Sequence, residues 1–179
     1  SLPKAYVVSS VELLLLKAAA LVHVGDSTEA ARILTELIDK KAYGNNSLLQ
    51  VKLLNWRCAS LRMMGQFSEA KRDIRKAMAI LNLIESPADI KGEVYRRLGD
   101  IYTEQGQFKT ALRYQKAALK YYNISHNISL LSQVHNSLGI IYTRCGDLTP
   151  AIYHLENARE GHQKTKNYGA LSSTLNNIG

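Results

Sequence analysis

The stretch Tyr102-Thr-Glu-Gln-Gly-Gln-Phe-Lys-Thr-Ala111 returns forty residues later as Tyr142-Thr-Arg-Cys-Gly-Asp-Leu-Thr-Pro-Ala151. Two further segments fall into the same frame, Leu21-Val-His-Val-Gly-Asp-Ser-Thr-Glu-Ala30 and Leu61-Arg-Met-Met-Gly-Gln-Phe-Ser-Glu-Ala70. Each has a large residue, a glycine four places on, and an alanine five places after that. The glycines Gly25, Gly65, Gly106 and Gly146 are spaced by 40, 41 and 40 residues, and the alanines Ala30, Ala70, Ala111 and Ala151 keep the same register. A second ladder, Gly99, Gly139 and Gly179, also steps by 40. Self-similarity at a fixed period of this size marks a repeat architecture.

Within one repeat the pattern predicts two helices and a tight turn. The first helix, A, carries apolar residues at helical spacing, as in Val94, Leu98, Ile101 and Tyr102. The glycine that follows suits a left-handed helix end. The second helix, B, opens a few residues later; Pro150 is tolerated in its first turn, with Thr149 as the expected cap. The recurring alanine lets helix B approach helix A closely. Gly99 and Gly139, placed inside helix A, cost about 1 kcal/mol each against alanine, so close packing must require them.

These residues resemble the tetratricopeptide repeat. With Gly99 and Gly139 set at repeat position 8, repeats begin at Val11, Val51, Gly92, Ser132 and Ser172, the fifth unfinished. The family prefers a small residue at position 8, a large one at 11, Gly at 15, Ala at 20, a large one at 24 and Ala at 27. Repeat four matches throughout, with Gly139, Tyr142, Gly146, Ala151, Leu155 and Ala158. Repeat three departs at position 24, where Gln115 stands, and repeat one is the weakest. The resemblance implies an all-α, right-handed α-solenoid of helix-turn-helix repeats running through residues 1–179 as one array, a fragment of a longer protein. The family's period is 34 residues; the longer period here lengthens helix B and the next helix A. Long repeats of this kind are similar to those of cell-polarity scaffolds and of the sensor arms of maltose-activator-type transcription regulators.

The resemblance also implies where a partner binds. Positions 2, 5, 6, 9, 12 and 13 of helix A line the concave groove of the fold. Here they supply Lys52, Asn55 and Arg62 from repeat two, Arg96, Arg97 and Asp100 from repeat three, Asn136 and Arg144 from repeat four, and Asn176 and Asn177 from repeat five. Repeat one offers Leu15, Leu16, Ala19 and Val22 instead. Asparagine can hydrogen-bond a peptide backbone in either direction, and arginine holds a carboxylate through two bonds. The expectation is a scaffold for a partner's peptide segment carrying acidic residues and an apolar anchor. The alternatives are that Arg96 and Asp100, four apart, pair within their helix, and that the array is the ligand-sensing arm of a larger signalling ATPase or transcription regulator. Chaperone-binding members clamp a C-terminal carboxylate with Lys and Asn at fixed groove positions. Of those positions only Arg97 matches, so that specificity is not expected.

Other chemistry finds little footing. No two histidines among His23, His126, His135, His154 and His162 lie three or four apart, so no helical metal pair is expected. Cys58 and Cys145 are expected as packing residues. No phosphate-binding loop or hydrolase motif occurs, so neither an enzyme nor a cofactor is expected. Asn45, Asn123 and Asn127 open Asn-x-Ser sequences, short enough to arise by chance. No run of 18 apolar residues could cross a membrane, and without a signal peptide the default location is cytoplasmic. Leu171, Leu175 and Ile178, with no helix B to cover them, point to weak self-association.

The chain of 179 residues has a net charge of +8, which raises nucleic acid as a partner. The excess is local: residues 52–120 carry fourteen cations against seven anions. Part of it lies at groove positions and part on helix B of repeats two and three, at Lys71, Arg72, Arg75, Lys76, Lys109, Arg113, Lys116 and Lys120. That second group reads as a solvated basic face, or as a docking face for an acidic domain. Nucleic acid becomes a minor alternative, since the tyrosines have no spacing suited to base stacking.

Overall fold

A computed structural model describes the backbone of residues 4–178 and the side chains of residues 10–178. All the regular structure among them is α-helical, and it divides into two compact halves, Ser1–Ser86 and Pro87–Gly179. The N-terminal half holds α1 (Lys4–Val24), α2 (Ser27–Asp39), α3 (Ser47–Met63) and α4 (Phe67–Leu81). The C-terminal half holds α5 (Ala88–Glu104), α6 (Phe108–Ser125), α7 (Ile128–Cys145), α8 (Leu148–Lys164) and α9 (Tyr168–Ile178). Odd-numbered helices are the A helices of the repeats and even-numbered ones the B helices. Within each half every helix packs on the next, and the neighbouring A helices α1 and α3, and α5 and α7, also touch. The extra residues of the long repeat lie within helices, which run to 17 residues in α5 and 18 in α6.

The A-to-B turn is built as the spacing predicts. Gly25, Gly65, Gly106 and Gly146 all have positive φ, between 71° and 92°. The residue after each glycine donates its N–H five residues back, as in Gln107 to the Tyr102 carbonyl at 2.8 Å and Asp147 to the Tyr142 carbonyl at 3.0 Å. One detail differs from expectation. Helix α8 starts at Leu148, so Asp147 takes the cap position and Thr149 lies inside the helix. Because the glycine reverses the chain in a single residue, helix B begins two residues sooner than a Thr149 cap would allow. Pro150 then falls third in the helix, where its missing N–H has no intrahelical acceptor to lose. Three B-to-A turns use asparagine: Asn46, Asn127 and Asn167 each accept the N–H three residues on, at 2.9, 3.2 and 3.2 Å. Asn127 is thus a helix cap.

Helix B lies close against helix A because small residues face each other. Ala30, Ala70 and Ala111 have no exposed surface and Ala151 has 2%. A Cβ placed on Gly139 would stand 2.6 Å from Leu155 Cγ, and one on Gly99 would stand 2.8 Å from Gln115 Nε2. Two glycines without an expected role do similar work: Gly92 lies under the Tyr122 ring and Gly161 against the Ser132 hydroxyl. Around these contacts Ala118, Tyr122 and Val134 form a fully buried cluster, flanked by Tyr95, Leu119, Leu130 and Leu131.

Replacing Gly139 by Ala should lower stability by about 1–2 kcal/mol, because forced overpacking outweighs the helix-propensity gain of about 1 kcal/mol. Gly169→Ala, where a Cβ meets nothing within 4 Å, should be neutral or slightly stabilising. Thermal unfolding of the two variants beside the parent protein measures the difference; equal melting temperatures would contradict the close-packing assignment.

Candidate peptide-binding faces

The expected groove residues separate into three groups by what already holds them. The first is α5, whose charges neutralise one another. Arg96 bonds Asp100 at 2.9 Å and Glu93 at 3.3 Å, and Arg97 bonds Glu93 at 2.9 Å. Gln115, reaching across from α6, donates to Asp100 Oδ1 at 2.7 Å and to the Arg96 carbonyl at 3.3 Å. Arg97 is buried. Burial opposes the charge on Arg96, but Asp100 and Glu93 outweigh it and hold the guanidinium firmly protonated. The intrahelical Arg96–Asp100 pair is therefore formed, and Gln115 belongs to the same network.

The second group lies on α7 and α9. Asn136 Oδ1 accepts from Thr174 Oγ1 and from Asn177 Nδ2, both at 3.2 Å, which ties the two A helices together. Asn176, one residue before Asn177, is exposed, and so is Arg144 at the end of α7. Leu175 and Ile178 of α9 are exposed as well.

The third group is α3, in the N-terminal half. Lys52 is exposed, Arg62 is half-buried, and Asn55 is 7% exposed. The Asn55 carbonyl oxygen is buried with no donor. Beside it Trp56 meets the His23 ring edge-on, with centroids 5.6 Å apart. In repeat one Leu16 is exposed while Leu15 and Val22 are buried, so only part of its apolar set is available.

Two pairings cross between helices at spacings that sequence periodicity does not pick out. Arg57 on α3 grips Asp73 on α4 through two bonds, Nε to Oδ2 at 2.6 Å and Nη2 to Oδ1 at 2.7 Å. The bond to Asp73 raises the Arg57 pKa, and Thr35, Leu61, Glu69 and Arg72 complete a small cavity of about 260 Å³ around the pair. In repeat four His135 on α7 and His154 on α8 bring their Nδ1 atoms to 2.9 Å, within hydrogen-bonding distance. His154 stacks on Tyr142 with the rings 6° from parallel, and Lys116 sits 5.7 Å over the other partner in that stack. Repeat three fills the same positions with Tyr95 and Tyr114, whose centroids lie 6.4 Å apart. Tyr102 and Tyr121 extend that aromatic row. Cys58 is buried as expected, but Cys145 is exposed: it is the last residue of α7, where the helix runs out past its packing partner.

Among the described residues no three or more His, Cys, Asp or Glu side chains are grouped to hold a metal ion. No helix of the described residues is long and apolar enough to cross a membrane.

Residues 49–124 match the tetratricopeptide repeat family. Repeats of that family therefore occupy the middle of the chain. No curated protein sequence matches it, whereas solved structures do. BtubC (BKLC) from P. vanneervenii is 19% identical, with a TM-score of 0.79 over 96% of this chain and 71% of that one. A kinesin-light-chain protein of Podosopora anserina with nearly identical TPR-like repeats is 16% identical, with a TM-score of 0.71 over 95% and 84%. MamA is 18% identical, with a TM-score of 0.58 over 88% and 81%. At these identities the likeness is one of fold. The tetratricopeptide repeats of residues 49–124 support a protein–protein interaction scaffold.

Two predictions follow from the cross-helix pairs. Asp73→Ala should cost about 3 kcal/mol, because it leaves the Arg57 guanidinium buried without its partner, whereas Arg57→Leu combined with Asp73→Leu should cost much less. Denaturant melts of the three proteins check this; a double variant as weak as the single one would contradict it. For the histidines, burial first, then His135 and Lys116, lower the His154 pKa to about 4. The unfolded chain takes up that proton below about pH 6.5, and the folded chain only near pH 4. Stability is therefore complete above pH 6.5 and falls as pH drops toward 4, by about 1 kcal/mol once solvent screening is allowed for. His154→Tyr, the residue type of Tyr114, should show a smaller drop in melting temperature between pH 7 and pH 5 than the parent protein.

Proposed function

We propose that the A-helix faces within each half hold a peptide segment of a partner protein through side-chain amides. One observation carries the reading: asparagine occupies the same repeat position in repeats two, four and five, as Asn55, Asn136 and Asn176, with Arg96 at that position in repeat three. A carboxamide offers one donor and one acceptor side by side, the complement of a peptide group. Asn55 holds that position in repeat two, largely buried, with its carboxamide oxygen lacking a donor. Asn136 supports the reading by spending only its oxygen on α9, which leaves its amide N–H groups to donate.

The acidic character of the ligand is read chiefly by Arg144 and Lys52. Both are exposed on A helices and neither is in an ion pair among the described residues. Arg96 and Arg97 are already engaged within the fold, in ion pairs with Glu93 and Asp100. The exposed Leu16 and Met63 offer the apolar contact.

A peptide array of random 15-residue segments, followed by fluorescence anisotropy on the strongest binders, tests this. Asn176→Ala should weaken those binders about fivefold to tenfold, the worth of one net hydrogen bond or a little more. Arg144→Glu should weaken the acidic ones selectively. Gln163→Ala, exposed on α8, should leave all of them unchanged. Equal affinity for Asn176→Ala and the parent protein across the set would remove the amide register as the binding device.

A further inference from the structure

The B helices differ sharply in how they treat their charges. On α2, Arg32 pairs with Glu29 at 2.7 Å and Lys40 with Glu36 at 2.6 Å. On α8, Arg159 pairs with Glu156 at 2.6 Å and Lys164 with Glu160 at 4.0 Å. Helix α6 contains no carboxylate at all, yet carries Lys109, Arg113, Lys116 and Lys120. These four are exposed, and none is in an ion pair among the described residues. Their spacing of four, three and four residues puts them on one stripe of the helix. The buried residues of α6, Ala111, Gln115, Ala118 and Tyr122, follow the same spacing two residues out of phase, so the cations run along the side opposite the core.

Self-repulsion along such a stripe is tolerated in water but gains nothing for the fold. The stripe is also not purely polar. Lys116, Leu119, Lys120, Asn123 and Ile124 border a shallow depression of about 490 Å³, and Ile124 is 60% exposed. Cations flanking an apolar hollow complement a segment that is both acidic and apolar. A nucleic-acid backbone would use the cations and leave Leu119 and Ile124 unused.

We propose that the outer face of α6 is a second docking surface, for an acidic, leucine-bearing segment of a partner protein, its carboxylates on the four-cation stripe and an aliphatic side chain in the hollow beside Ile124. This surface is separate from the A-helix faces and does not depend on them. The probe is a synthetic 18-residue peptide in which glutamates alternate with leucines at helical spacing. Controls are the same peptide with its leucines changed to serine, an 18-nucleotide single-stranded DNA, and phosphatidylserine vesicles.

In the full chain the leucine-bearing peptide should bind more tightly than every control. The variant K109Q/R113Q/K120Q should lose at least tenfold in affinity, and Ile124→Ser several-fold. R72Q/R75Q/K76Q on α4 and Arg144→Glu should be without effect, the latter separating this surface from the A-helix faces. Lys116 is left in place in the triple variant because it rests over Tyr142, and circular dichroism confirms the fold. DNA or vesicles binding more tightly than the peptide and losing affinity in the same triple variant would overturn the partner class. Absence of binding by any probe, or equal binding by parent and triple variant, would overturn the surface itself.

Discussion

The close approach of helix A to helix B, made possible by small residues at repeat positions 8 and 20, is the constraint on which the rest of the structure rests. At Gly139 the backbone of α7 comes so near Leu155 that even a methyl group has no place, and the buried Ala111 and Ala151 make the matching surface on helix B. A repeat of two helices has no central core of its own size; its apolar burial comes from this contact and from the stacking of one pair on the next. Holding the two axes close also fixes what may stand at the neighbouring positions. The side chain over the glycine, Leu155 in repeat four and Gln115 in repeat three, lies directly against helix A backbone.

Gln115 shows how one departure at that contact propagates outward. A leucine there would end the matter in packing. A glutamine brings an amide to the buried side of α5, where its N–H groups donate to Asp100 and to the Arg96 carbonyl. Asp100 in turn holds Arg96, and Glu93 holds both arginines. The charges that made α5 look like the ligand-reading centre of the array are the outer members of a network rooted in the core. Repeat four, with Leu155 at the same position, has no such network, and its A helix keeps Arg144 exposed.

Much of this was legible in the residues. The period, the helix-turn-helix unit, the left-handed glycine turns and the close-packing glycines are all local regularities that recur, and recurrence makes them visible in a single sequence. The pairs that escaped are those made between helices by residues whose type changes from one repeat to another. Arg57 and Asp73 are 16 apart, and His135 and His154 are 19 apart. A search for neighbours within one helix looks three or four residues away and passes over both. The repeat frame contained the signal for the second pair: Tyr95 and Tyr114 stand at the positions of His135 and His154, so whichever pair repeats share there must meet across the A–B seam. Cys145 and Thr149 were misplaced for a different reason, since element ends shift by a residue or two and burial changes abruptly there.

The distribution of charge gains its meaning from the same packing. A net of +8 on the whole chain says little about a partner. Once the helices are in place, α5 cancels its own cations from within, α3 spends Arg57 on Asp73, and α2 and α8 pair theirs along the surface. Among the cations left uncompensated, four stand together on one side of α6, the helix that also contributes Gln115 and Tyr122 to the interior. The inner side of α6 is fixed by the requirements of the seam, and on its outer stripe Lys116 rests over Tyr142. A row of four cations kept there without a single carboxylate is a choice the fold does not make, and a partner with the opposite charge supplies the reason for it.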